Sequence, residues 1–209
     1  VDEKKVNLIN KYQSPIKDKE IEDYLASKKL NLKATTNKNE AYKDASLVII
    51  AVPTDYDIST GSFNTKIVED IIKDILLLNT SATIVIKSTV PIGFTDMIKS
   101  KFSISNIFFS PEFLGETKAL YDNLYPSRIV VGEINDKATE FANLLLEASL
   151  NDKGEIKVFK MSSKEAEAVK LFSNTFLAMR VSFFNELDSF SEVNNINAEN
   201  VINGICADP

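Results

Sequence analysis

The chain has 209 residues, 44% hydrophobic and 26% charged, with a formal net charge of −6, the profile of a soluble globular protein of one large domain or one domain plus part of another. An acidic balance argues against tracking a phosphate backbone, no apolar run reaches the roughly 18 residues of a membrane span, and the charged start Val1-Asp2-Glu3-Lys4-Lys5 is unlike a secretory signal. The absence of histidine removes His bases, His triads and most zinc sites, and the lone cysteine, Cys206, excludes an internal disulfide and fits a reducing, cytoplasmic setting.

In chain order, a helix is predicted over 17–29, a short strand over 32–34 and a helix over 39–45. Residues 47–52 form a continuous β-branched run, the pattern of a strand buried on both faces. Pro53 ends it, because proline cannot donate to a sheet ladder. After a polar loop through Gly61, a helix over 64–78 carries Ile67, Ile71, Ile72 and Ile75 on one side. A second buried strand, 82–86, runs into Ser88-Thr89 and Pro91-Ile92-Gly93, and the helix over 95–102 turns Met97, Ile98 and Phe102 inward. A third strand, 107–109, leads into Ser110-Pro111-Glu112, and a fourth, 128–131, stops at Gly132. A helix over 137–149 and a short strand over 156–159 complete the alternation. Strands alternating with helices through short connections define an α/β class with a Rossmann-like, mostly parallel sheet.

From 163 to 193 there is one long helical pattern without glycine or proline. One stripe carries Phe172, Phe176, Met179, Phe183, Leu187 and Phe190; another carries Lys170, Asn174, Leu177, Val181, Phe184 and Asp188. A helix apolar over so much of its circumference has to be covered nearly all round. The α/β layer covers one side, so a second domain or a partner subunit is expected on the other. The division that follows is an α/β domain over 1–161 and, over 162–209, a linking helix that opens a further domain. The missing initiator methionine suggests a piece of a longer polypeptide.

Parallel α/β sheets bind ligands beyond the C-terminal ends of their strands. The polar residues there are Thr54 after the first buried strand, Ser88 and Thr89 after the second, and Glu112 and Glu116 after the third. The alternative for the hydroxyl residues is a role in turns or helix caps. Glu112 and Glu116 are four apart; sharing one pocket, their repulsion and partial burial would raise a pKa toward that of a general base. A solvated acidic pair is the plainer outcome, but Phe108, Phe109, Pro111, Phe113 and Leu114 would desolvate at least one. Lys170 and Asn174 are also four apart on one helix face, suited to a partly buried site for an anionic or carbonyl oxygen. The alternative is an exposed lysine paired with Glu167. Nothing near Cys206 lowers its pKa, so it reads as a small buried apolar residue. None of the six glycines forms G-x-G-x-x-G, the phosphate-cradling turn of dinucleotide domains.

Four strings, IVIKSTVPIG over 84–93, FSPEFL over 109–114, YPSRIVVG over 125–132 and EAEAVKLFSNT over 165–175, resemble the UDP-glucose/GDP-mannose dehydrogenase family. The likeness runs in order along the whole chain. It implies an NAD-dependent enzyme that oxidises the C6 alcohol of UDP-glucose to a carboxylate in two hydride transfers. In that family the reaction passes through a cysteine-linked thiohemiacetal and thioester, and no metal is needed. By the resemblance, residues 1–161 are an NAD-binding domain lacking its glycine-rich start, and the long helix is a homodimer core. Lys5, Thr54, Thr89 and Glu116 correspond to NAD contacts. Thr89 matches the threonine that holds the water or reacting oxygen, and Glu116 the glutamate that aids thioester hydrolysis. Glu112, Phe113, Leu114, Gly115 and Glu116, with Lys170 and Asn174, form the substrate side, the last two steadying an oxyanion. Gly115 stands where many relatives carry a longer side chain. The family's nucleophilic cysteine would follow position 209, so Cys206 is not that residue. The chain alone is expected to be inactive, to bind NAD weakly and to associate through Phe172, Phe176 and Phe183. UDP-N-acetylmannosamine or GDP-mannose as substrate, and a non-catalytic relative, are the competing readings.

Overall fold

The computed structural model describes residues 2–58, 61–115, 118–151 and 155–207. Asp2 starts the first helix, its carboxylate accepting from the Lys4 N–H at 2.8 Å, and α1 (Glu3–Asn10) follows. This helix escapes a periodicity search because it buries no side chain. Asp18 and Asn37 cap α2 (Lys19–Ser27) and α3 (Lys38–Tyr42) in the same way. The strand expected over 32–34 does not form. Ala34 pairs instead with one side-chain amide: Asn10 Nδ2 donates to its carbonyl at 2.9 Å, and its N–H donates to Asn10 Oδ1 at 2.8 Å. The side chain takes the place of a partner strand.

The polar loop expected after β1 (Leu47–Ile50) contains a short antiparallel hairpin, β2 (Tyr56–Asp57) with β3 (Ser62–Phe63). Then come α4 (Lys66–Leu78), β4 (Thr83–Ile86), α5 (Phe94–Phe102), β5 (Ile107–Phe109) and α6 (Ala119–Leu124). After them are β6 (Arg128–Val131), α7 (Asp136–Ala148), β7 (Lys157–Lys160), α8 (Ser163–Val193) and α9 (Ala198–Cys206). Strands β1, β4 and β5 form a parallel sheet in that order, with Leu47 opposite Thr83 and Ile84 opposite Ile107.

Side chains alternate across a strand, and β4 and β5 are apolar and buried on both faces. Val85 and Phe108 join Ile129, Val131, Ala138, Phe141 and Ala142 in one cluster, with Phe108 and Phe141 edge to face at 5.8 Å between centroids. Ile84, Ile86, Ile107 and Phe109 point the other way and are equally buried. Truncating any of them to alanine removes about 2–5 kcal/mol. Strand β1 departs from the expected pattern: Ile49 is 48% exposed, because β1 is the sheet's outer strand and one of its faces is open. Helix α4 buries Val68, Ile72 and Ile75, whereas Ile67, expected inside, is half exposed. Likewise α5 buries Phe94, Thr95 and Ile98 but leaves Met97 in solvent.

Strands β6 and β7 pair in parallel with each other. Their junction with β5 has the opposite sense. Gly132 N–H donates to Phe109 O at 2.7 Å, and Ser110 Oγ donates to Val130 O at 2.7 Å, so numbering rises on one strand as it falls on the other. The second bond of that Phe109–Gly132 pair runs through a hydroxyl. Ser163 Oγ accepts from Phe109 N–H at 3.3 Å and donates to Gly132 O at 2.6 Å. Gly132 has to be glycine: a Cβ there would meet Phe109 O at 2.6 Å and Ser163 Cα at 2.8 Å. The start of α8 is further fixed by a reciprocal cap between Ser162 and Glu165, with Ser162 N–H donating to Glu165 Oε2 at 2.8 Å. That hydroxyl and that N–H hold the Glu165 carboxyl below its ordinary pKa.

The chain divides into two compact units, Val1–Ala168 and Val169–Pro209. In the second, Phe172, Phe176, Met179, Phe183 and Phe190 are all more than half exposed. Cys206, expected to be buried, is also exposed. Among the described residues no helix is long and apolar enough to cross a membrane.

Candidate functional site

Beyond the C-terminal ends of β1 and β4 the chain knits itself together with hydroxyls. Ser88 is buried; its Oγ accepts from Val52 N–H at 2.8 Å, and its own N–H donates to Ile50 O at 3.3 Å. That is the turn-forming role offered above as the alternative. Thr54 Oγ donates to the carbonyl of Thr89 at 2.7 Å, which brings these two predicted residues to one point of the sheet edge. Thr89 itself is half-buried.

Beyond β5 a cavity of about 310 Å³ opens, with Lys87, Glu112, Phe113, Leu114, Asp122 and Arg128 among its lining residues. Of the residues expected on the substrate side, Glu112, Phe113 and Leu114 line this cavity. Lys87 and Arg128 were not anticipated. Lys87 Nζ lies 3.4 Å from Ser110 O and 3.5 Å from Pro111 O, at donor distance from both carbonyls of the loop's first two residues. The Arg128 guanidinium stacks over the Phe113 ring, 3.7 Å from its centroid. Each is a cation at the end of an otherwise apolar strand, and that is the signal by which they can be found. Two cations, two carboxylates and an aromatic face on one cavity suit a polar ligand that carries hydroxyls beside charged groups. Gly115 N–H donates to Asp122 Oδ2 at 2.7 Å, and a Cβ there would meet only ordinary contact at 3.6 Å. Glu116, assigned roles on both the cofactor and the substrate side, lies outside the described residues.

Lys5 sits on the exposed surface of α1. Lys170 and Asn174 belong to the second unit. There Lys170 is half-buried, while Asn174, expected to be partly buried, is exposed and borders a shallow groove along α8 with Leu177, Val181 and Asn185. Glu167, weighed above as a surface partner for Lys170, is instead fully buried. Its carboxylate accepts from Gly93 N–H at 2.5 Å, Thr95 N–H at 2.9 Å and Thr95 Oγ at 2.6 Å. The clue in the sequence is its small neighbours, Ala166 and Ala168, which permit close helix approach.

A parallel sheet with hydroxyls and a mixed-charge cavity beyond its strand ends is a Rossmann-like, ligand-binding α/β architecture. Residues 1–149 match the NAD binding domain of the UDP-glucose/GDP-mannose dehydrogenase family, and residues 164–209 match its central domain. The chain belongs to this family. It is 50% identical over 208 residues to a UDP-glucose 6-dehydrogenase of Campylobacter jejuni, covering 100% of this chain and 52% of that protein. It is 48% identical over 211 residues to one of Streptococcus pneumoniae, covering 98% and 53%. Among solved structures, a UDP-glucose dehydrogenase from the archaeon Pyrobaculum islandicum superposes with a TM-score of 0.84 at 26% identity, over 100% of this chain and 50% of that one. A GDP-mannose dehydrogenase of Pseudomonas aeruginosa superposes at 0.86 with 23% identity, over 100% and 50%, a likeness of fold alone. The chain spans about half the length of the curated relatives it matches.

Proposed function

We propose that this chain supplies the cofactor-binding part and the central helix of an NAD-dependent UDP-glucose 6-dehydrogenase acting in the cytoplasm. The observation that carries the reading is the 48–50% identity, over essentially the whole chain, to two proteins of that name. The donor set agrees with it. Thr54 and Thr89 meet at the ligand edge of a parallel sheet, where a nicotinamide and its ribose would lie. NAD, when bound, supplies the hydride acceptor for oxidising the C6 alcohol.

The chain's own residues then divide the remaining work. Lys5, Thr54 and Thr89 hold the cofactor, and Thr89 also orients the reacting oxygen or a water. Glu112, Phe113, Leu114 and Gly115 shape the sugar side; to Glu116 the family resemblance gives a part on both the cofactor and the sugar side and in hydrolysis. Lys170 and Asn174 offer a positive charge and an amide donor to an oxygen that becomes negative, the complement such a centre needs. The exposed aromatic face of α8 makes the homodimer contact.

The test is NADH formation by this sequence within an enzyme of the relatives' full length. UDP-glucose, UDP-N-acetylmannosamine and GDP-mannose are offered in parallel. Turnover confined to UDP-glucose is expected; preference for another sugar, or silence with all three, refutes the reading.

A further inference from the structure

Glu167 is a buried carboxylate to which the proposed chemistry gives no task. It lies in the opening turns of α8, with 0% of its surface exposed. All three of its bonded donors come from the start of α5, where Gly93 is the cap residue at φ 89° and provides no side-chain cap of its own. A negative group at a helix N-terminus is well placed for the dipole and for the free N–H groups. A serine or aspartate at the cap position satisfies the same N–H groups locally. A carboxylate from 74 residues further along the chain instead adds a tether between α8 and the segment leading into α5.

Thr89 lies within that segment. On its N-terminal side the segment is tied to β1 through Ser88, and at Thr89 itself through the Thr54 hydroxyl. On its C-terminal side the only side-chain hydrogen bonds to Gly93 and Thr95, among the described residues, are those to Glu167. With both ends fixed, the stretch 89–93 has little freedom to carry the Thr89 hydroxyl away from the sheet edge. We propose that Glu167 is a positioning residue: its carboxylate clamps the Thr89 loop to the opening turns of α8. The inference rests on the reading of Thr89 as part of a dehydrogenase site.

The experiment uses this sequence within an enzyme of the relatives' full length and compares E167Q, T95V and T95S. Glutamine keeps the size of Glu167 but turns one acceptor into a donor facing an N–H, so the clamp opens. E167Q should lower kcat by about 10- to 100-fold, the effect of a misplaced reacting group, while KM for NAD and for the nucleotide sugar stays within about threefold. T95V, which deletes a single bond of the clamp, should fall between E167Q and the parent, and T95S should restore the parent's kcat. Amide hydrogen exchange of E167Q should quicken by about tenfold or more at 92–95 and stay unchanged in β4.

A folded E167Q with kcat within about twofold of the parent overturns the proposal, as does unchanged exchange at 92–95. If E167Q does not fold, T95V and T95S decide, and equal activity of both with the parent overturns it. A parent enzyme that is silent with UDP-glucose refutes the functional reading instead. The exchange measurement still judges the clamp in that case.

Discussion

Replacing Gly132 by alanine tests the tightest glycine site among the described residues. The added Cβ would sit 2.6 Å from Phe109 O, 2.8 Å from Ser163 Cα and 3.1 Å from Ala166 Cβ. The first two are backbone atoms of β5 and α8, and neither can rotate away as a side chain tip can. Relief therefore requires β6 to separate from β5 or α8 to lift from both. Either movement stretches the Gly132–Phe109 hydrogen bond and the Ser163 hydroxyl bridge. Overpacking costs about 1–3 kcal/mol, and the upper end is expected because backbone has to move. For a chain of this size, about 3 kcal/mol lowers Tm by about 6–12 °C. The assay is thermal and urea denaturation of the purified chain followed by circular dichroism. Gly115→Ala is the control, since its Cβ meets nothing nearer than 3.6 Å and its backbone is unstrained. It should change stability by no more than about 0.5 kcal/mol. A Gly132→Ala variant melting within about 1 °C of the parent refutes this account of how α8 is seated.

Glu133 and Lys99 give a pH-dependent contribution. Burial alone would raise the Glu133 pKa from its ordinary 4.5, but the Lys99 ammonium at 2.8 Å, the Ile134 N–H and the Lys99 charge together hold it lower. A carboxylate whose folded pKa is depressed stabilises the protein above its unfolded pKa and ceases to do so as pH falls through the folded one. E133Q should therefore be less stable than the parent by about 0.5–1 kcal/mol at about pH 7, with the gap closing as pH falls through the lowered folded pKa of Glu133; a gap that stays constant from neutral pH into acid contradicts the pairing. The exposed α8 face should drive association of the chain, and F176E should weaken it by about tenfold or more in sedimentation experiments; identical sedimentation of parent and variant would remove this face from the dimer contact.

Much of the molecule follows from local chemistry. Continuous β-branched runs mark β4 and β5 as strands covered on both faces, because strands with helices on either side have no reason to alternate. Motif strings at fixed spacing identify the family, and aromatic residues all round α8 announce a helix that needs cover. Tertiary structure decided the rest. Ile49 has the sequence environment of an inner strand but belongs to an outer one, and strand order is a non-local property. Val68 is buried and its neighbour Ile67 half exposed, a choice of face along α4 that tertiary packing makes and periodicity does not resolve. The opposite sense of β5 and β6 depends on a single backbone bond and a hydroxyl contributed from 54 residues away. Glu167 shows the division most clearly: on a helical wheel it is one more charged residue. Only the fold supplies the two N–H groups and the hydroxyl that make its burial tolerable, because a buried charge is stable where partners converge on it from elsewhere in the chain.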